Sequence, residues 1–146
     1  MIKTAEPVTV LLVEDDPGDV VLVREALAHN NVRNELRVAA DGVAALEQLR
    51  STELARPDLI LLDLNLPRKD GREVLSEIRS DPQLTGIPVV ILTTSEAQTD
   101  ILRSYELHAN AYITKPVNLK RFFEVVREID KFFLTLVKLP IRCEDA

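Results

Sequence analysis

Apolar and polar positions alternate along this chain in blocks, and the cleanest block is Leu59-Ile60-Leu61-Leu62, which runs directly into Asp63 and then Leu64-Asn65-Leu66-Pro67. A short unbroken apolar run bounded by turn signals reads as a strand buried on both faces. Asp63 then stands at the strand's C-terminal tip, held by a rigid element and open to the crevice above a sheet. Thr9-Val10-Leu11-Leu12-Val13, ending at Glu14-Asp15-Asp16, reads the same way. So does Val89-Val90-Ile91-Leu92, which closes on Thr93-Thr94-Ser95. Ala111-Tyr112-Ile113 is a shorter strand ahead of Lys115-Pro116, and Leu36-Arg37-Val38-Ala39 alternates as an edge strand does.

Between these runs the apolar spacing changes to steps of three and four. Asp16-Pro17 is a helix start, an acidic cap followed by proline at the first helical position. Val20, Val23 and Leu27 continue it along one side, with Val21 and Ala28 beside them. Asp41-Gly42 is a turn into a helix from Val43 to about Arg50, with Ala45, Leu46 and Leu49 inward. Asp70-Gly71 is a turn before a short helix carrying Val74, Leu75 and Ile78. Further helices are expected over residues 96–107 and from Asn118 to about Lys138. Strands alternating with helices predict an α/β fold, a parallel sheet with helices on both faces. The acid-bearing tips of strands one and three, Thr93 after strand four and Lys115 after strand five all fall at C-terminal strand ends, where open α/β sheets bind ligands.

Composition narrows the function classes. The 146 residues fit one domain, and the net charge of −6 argues against nucleic acid as a partner. No apolar stretch is long enough to span a bilayer, and residues 1–7 lack an apolar signal region. The lone Cys143 excludes an internal disulfide and suits a reducing compartment, so a cytoplasmic protein is expected, with no membrane partner.

The convergent residues suggest a chemistry. Glu14, Asp15 and Asp63 at neighbouring strand tips would repel one another, and a divalent cation removes the conflict. All-oxygen ligands from few carboxylates, with waters left on the metal, suit Mg2+. Asp63 can accept a phosphoryl group as an acyl phosphate. Lys115 can meet one phosphoryl oxygen as a point charge, and the Thr93 hydroxyl can donate to another.

Glu14-Asp15, Asp63, Thr93 and Lys115-Pro116 together resemble the signature of response-regulator receiver domains, over about residues 7 to 130. The resemblance implies a doubly wound five-stranded flavodoxin-like sheet of order 2-1-3-4-5. It implies a receiver domain over residues 6–131, extended by a longer C-terminal helix and a segment at 132–146. It further implies that Asp63 takes its phosphoryl group from a phosphohistidine on a sensor histidine kinase. Mg2+ would be held by Asp15, Asp63 and the backbone carbonyl of Asn65, with Glu14 acting mostly through water. Thr93 becomes the switch hydroxyl, Lys115 the phosphate-sensing cation, and Tyr112 the aromatic that turns with Thr93. The face of the fourth helix, fifth strand and fifth helix would then change for partner binding or dimerisation. Such a domain catalyses only its own phosphorylation and dephosphorylation and is otherwise not an enzyme.

Two positions depart from the family pattern. His108 stands where receivers commonly carry glycine, and Thr94 is bulkier than the alanine or glycine often found beside the switch threonine.

Leu119, Phe122, Val126, Ile129, Phe133 and Leu136 form the inward stripe of the last helix, but residues 132–139 are apolar on most sides. An exposed surface of that kind predicts association, most simply a symmetric homodimer. The run from Phe132 to Pro140 also resembles the C-terminus of small regulators that partner bacterial phytochrome kinases, which implies light as the input signal. With no residues left over for an output domain, output is expected through protein contacts or phosphate relay. One rival is a haloacid-dehalogenase-type phosphatase, which needs a second acid where Asn65 stands. The other is a phosphate-independent module, which does not account for the full set of acids, Thr93 and Lys115.

Overall fold

The structure is a computed structural model, and it describes residues 8–28, 34–93 and 111–114. Its elements run β1 (Val8–Val13), α1 (Pro17–Ala28), β2 (Asn34–Ala39), α2 (Gly42–Arg50), β3 (Leu59–Asp63), α3 (Gly71–Ser80), β4 (Val89–Thr93) and β5 (Ala111–Thr114). The neighbours β2, β1, β3 and β4 pair parallel in that order, as expected, and β5 runs parallel beside β4. The helices expected over 96–107 and after 118, the segment 132–146, and Thr94, His108 and Lys115 lie outside the described residues.

The apolar runs become strands because both of their faces are covered. Leu59, Ile60, Leu61 and Leu62 are all buried, as are Val10 to Val13 and Val89 to Leu92. Successive strand side chains point to opposite faces, so the runs divide by parity. Leu11, Val13, Ile60, Leu62, Val89 and Ile91 meet Ala45, Leu46 and Leu49 of α2 and Val74, Leu75 and Ile78 of α3 in one core cluster. Val10, Leu12, Leu59, Leu61, Val90 and Leu92 carry the opposite face, equally dry. Asp58 ties the start of β3 to β1: its N–H donates to Thr9 O at 2.8 Å, and its carboxylate accepts from Thr9 N–H at 2.9 Å.

Helix entry follows the acidic-cap logic, with two differences. Asp16 Oδ1 accepts from Gly18 N–H at 2.9 Å, and Asp41 Oδ1 accepts from Ala44 N–H at 2.8 Å, each satisfying an orphan donor. Gly42 and Gly71, expected in turns, are instead the buried first residues of α2 and α3. Both sites are closed to a side chain. A Cβ on Gly71 would lie 2.3 Å from Asp63 O and 2.6 Å from Leu64 Cα, and one on Gly42 would lie 2.3 Å from Lys69 O. On the apolar side of α1 Val20 is half-buried, and the Leu27 side chain lies outside the described residues. Val23 is buried, but Val21 is 54% exposed and Ala28 is exposed.

Gly71 is where α3 presses on the end of β3, so Gly71→Ala should move backbone rather than a side-chain tip. The expected loss of stability is about 3 kcal/mol, at the upper end of overpacking costs. Urea unfolding measures it, and a loss under about 1 kcal/mol would mean that α3 can slide away without cost.

Candidate functional site

Register and pleat together place the acids. Val13 pairs with Leu62, so Glu14 follows at the level of Asp63. Asp63 shares parity with Leu61 and Glu14 with Leu12, so both carboxylates leave the sheet on the face opposite α2 and α3. The ladder to β2 continues past β1: Glu14 N–H donates to Ala39 O at 2.9 Å, which fixes the Glu14 backbone.

Glu14 and Asp63 are buried, at 2% and 5% exposure, whereas Asp15 is exposed. Carboxylate oxygens from all three lie within 4.8 Å of one another. Asp63 is therefore less open to the crevice than its position at a strand tip suggested. Glu14 Oε2 accepts from Asp16 N–H at 3.3 Å, and Asp63 Oδ1 accepts from Asn65 N–H at 2.9 Å.

This donor set fits a small hard cation. Oxygens around Mg2+ at about 2.1 Å stand roughly 3 to 4 Å apart, within reach of side chains already this close. The exposed Asp15 leaves one side of the cluster to solvent, which suits an ion that keeps waters. The Glu14/Asp15/Asp63 cluster is thus a magnesium site in its chemistry as well as its spacing.

The turn from β3 to α3 is tied at several points. Gly71 N–H donates to Leu64 O at 3.0 Å. Arg68 has φ of 66°, in the left-handed region that costs a non-glycine residue roughly 1–2 kcal/mol. Its Nη1 donates to Asp41 Oδ2 at 3.1 Å. Lys69 Nζ donates to Glu77 Oε2 on α3, and Arg50 Nη2 donates to Glu77 Oε1 at 3.1 Å. The Lys69 hydrogen bond holds the Glu77 carboxyl below its ordinary value of 4.5, partial burial opposes this, and Arg50 adds to the lowering. Neither the Arg68–Asp41 pair nor the glycine contacts are visible in the spacing of apolar residues. The paired Asp-Gly dipeptides at 41–42 and 70–71 were their available signal.

The remaining expected site residues are placed only in part. Thr93 ends β4 one residue past Leu92, the partner of Asp63, and Thr114 stands at the level of Thr93. Tyr112 lies in β5 opposite Ile91. The chain reaching Lys115 therefore arrives at the same sheet edge, while Lys115 itself lies outside the described residues. No helix among the described residues is long and apolar enough to cross a membrane.

Comparison with known proteins gives a consistent result. The response regulator receiver domain family matches residues 10–127. Response regulator Rcp1 of Synechocystis sp. is 50% identical over 138 residues, covering 92% of this chain and 94% of the relative. Among solved structures, the phosphorylated cyanobacterial phytochrome response regulator RcpA superposes with a TM-score of 0.82 at 50% identity, covering 90% of this chain and 96% of that one. The Mn(2+)-bound form of response regulator Rcp1 gives 0.80 at 50% identity, covering 88% and 95%.

Two outcomes follow from the charges. Asp63→Asn keeps an oxygen for the Asn65 N–H and removes one of three crowded charges. It should stabilise the metal-free protein by about 1 kcal/mol, the scale of one close repulsion partly in water. Mg2+ at about ten times its Kd should stabilise the wild type by about 1.4 kcal/mol and the variant much less, read from melting temperatures. Equal Mg2+ responses would remove Asp63 from the metal site. For Glu77 the folded value is depressed, so its contribution is present above about pH 4.5 and is lost as pH falls through the folded value. The side chain is one-third exposed, so Glu77→Gln should cost only about 0.5 kcal/mol at neutral pH. The two proteins' stabilities should converge in acid.

Proposed function

This chain belongs to the response regulator receiver domain family, and from that premise we propose that Asp63 is its phosphoacceptor, charged by the phosphohistidine of a partner histidine kinase. One observation carries the reading: Asp63 is buried at the tip of a dry strand, with oxygens of Glu14 and Asp15 within 4.8 Å. An Asp63 oxygen attacks phosphorus, a P–O bond forms, the P–N bond breaks, and the imidazole leaves. Asp63, Asp15 and the Asn65 carbonyl would hold a divalent cation, with Glu14 contributing through water, and the cation would supply charge to offset the carboxylates and the incoming phosphoryl oxygens.

The Asn65 N–H donates to Asp63 Oδ1 and so orients the carboxylate that takes the phosphoryl group. Thr93 donates its hydroxyl to one phosphoryl oxygen and Lys115 its ammonium to another. Tyr112 turns inward as Thr93 moves, and the change spreads to the face formed by the fourth helix, β5 and the last helix of the five-stranded 2-1-3-4-5 fold. Reversing such an equilibrium from mostly off to mostly on takes about 5.5 kcal/mol of preference for the on state. Charge-assisted hydrogen bonds at about 1.5–3 kcal/mol each supply that scale with two or three contacts.

The partner kinase is of the phytochrome type. The support is the 50% identity to Rcp1 and to a protein described as a phytochrome response regulator, over nine-tenths of the chain. The receiver occupies residues 6–131, and residues 132–146 with the last helix form a homodimer contact, supported by the apolar run at 132–139. Incubation with Mg2+ and a small phosphodonor, followed by intact-mass measurement, should add one phosphoryl group to the wild type and none to Asp63→Asn. Sizing of both forms should give a dimer that is lost when Phe132 and Val137, which lie off the inward stripe, are changed to Ser. An unmodified wild type, or a modified Asp63→Asn, would overturn the assignment of Asp63.

A further inference from the structure

We propose that Asp41 and Arg68 act together as positioning residues for the Asp63 site, tying the turn that follows Asp63 to the start of α2. The proposal rests on the phosphoacceptor reading of Asp63.

The turn after β3 is held at both ends, and in its middle Lys69 Nζ reaches Glu77 on α3. At the front, Asn65 N–H donates to Asp63 Oδ1 at 2.9 Å. At the back, Gly71 N–H donates to Leu64 O at 3.0 Å. Between them Pro67 offers no donor, and Arg68 sits in the left-handed region at φ 66°. The middle is also caught from outside by α2. Asp41 uses one oxygen to cap Ala44 N–H at 2.8 Å and the other to accept from Arg68 Nη1 at 3.1 Å. Directly beside this pair, Gly42 lets the Lys69 carbonyl approach to a distance that no Cβ would permit.

Asp41 is also two residues from Ala39, whose carbonyl accepts the Glu14 N–H at 2.9 Å. The path from Glu14 through Ala39, Asp41 and Arg68 to the Asn65 turn therefore returns to Asp63. Glu14 and Asp63 are held at a fixed spacing along the sheet by β1–β3 pairing and, by this second route, through the turn that carries Asn65. The Asp41 side chain is 13% exposed and that of Arg68 62%, so the pair is rooted at its acidic end and accessible at the other.

The test uses the whole chain and Mg2+ alone, titrated calorimetrically, with phosphodonor labelling in parallel. Asp41→Asn retains an oxygen for the Ala44 cap but presents N–H, not oxygen, to Arg68. Arg68→Gly is at ease at this φ and removes the fork. Each change should raise the Mg2+ Kd about threefold, within the range measured for partly exposed pairs. The double variant should be no worse than the weaker single, as for two members of one contact. Charge alone predicts otherwise: loss of the Arg68 cation near an acidic site would tighten Mg2+ binding, so weaker binding by Arg68→Gly isolates positioning from field. Unchanged or tighter binding by Arg68→Gly, or losses that multiply in the double variant, would overturn the proposal. If the wild type takes neither Mg2+ nor phosphoryl group, the Asp63 reading fails and this one with it. If the wild type takes both and the variants match it, only the role of the pair fails.

Discussion

Two carboxylates, Glu14 and Asp63, stand almost out of water within 4.8 Å of each other and of a third, Asp15. Like charges this close raise the free energy of the folded state, and burial adds to the cost. The Asp16 and Asn65 N–H groups, which donate to Glu14 and Asp63, offset only part of that cost. The arrangement persists because β1 and β3 pair in a register that brings Val13 beside Leu62, and because the apolar residues behind both acids are dry on both faces. The core is thus the source of the site. Its burial offsets the repulsion, and the repulsion is what a divalent cation relieves.

The same constraint explains why the turn beside Asp63 is so closely fitted. Gly71 admits the Asp63 carbonyl at the start of α3, and Gly42 admits the Lys69 carbonyl at the start of α2. Both glycines act by lacking a Cβ at a close approach, and neither has a positive φ. The residue that does adopt positive φ is Arg68, whose fork reaches Asp41. A glycine at that position would relieve the backbone and release the contact. Backbone ease and tethering compete at this position, and the chain has the tether.

Much of this was legible before any coordinates. The unbroken runs at 59–62, 10–13 and 89–92 are strands buried on both faces, and the acids at their tips converge as their positions implied. The hidden parts share a cause. Apolar spacing reports which side chains leave water, but it carries no information about carbonyls that approach a missing Cβ. Asp-Gly at 41–42 and 70–71 therefore read as turns, although each glycine opens a helix. Val21 and Ala28, read as lying beside the apolar side of α1, are exposed, while Val23 on that side is buried. The depth of Asp63 was understated for a related reason: a strand tip predicts access, whereas neighbouring side chains decide it.

Rigidity on one side of the site has a consequence for how the site can respond. Leu11, Leu12, Ile60, Leu61, Leu62 and Ile91 have next to no exposed surface, and close-packed interiors shift in discrete steps rather than by small continuous adjustment. The tips of β1 and β3 are therefore a fixed frame. When charge at Asp63 changes, the frame cannot dissipate it by spreading, because the register that set the carboxylates together also prevents them from separating. The response must come from groups that can move relative to the frame: bound ions and waters, and the exposed Asp15. The buried pair Glu14 and Asp63, fixed in this sense, directs the free energy of phosphorylation outward, toward the sheet edge where Thr93 and Thr114 stand level.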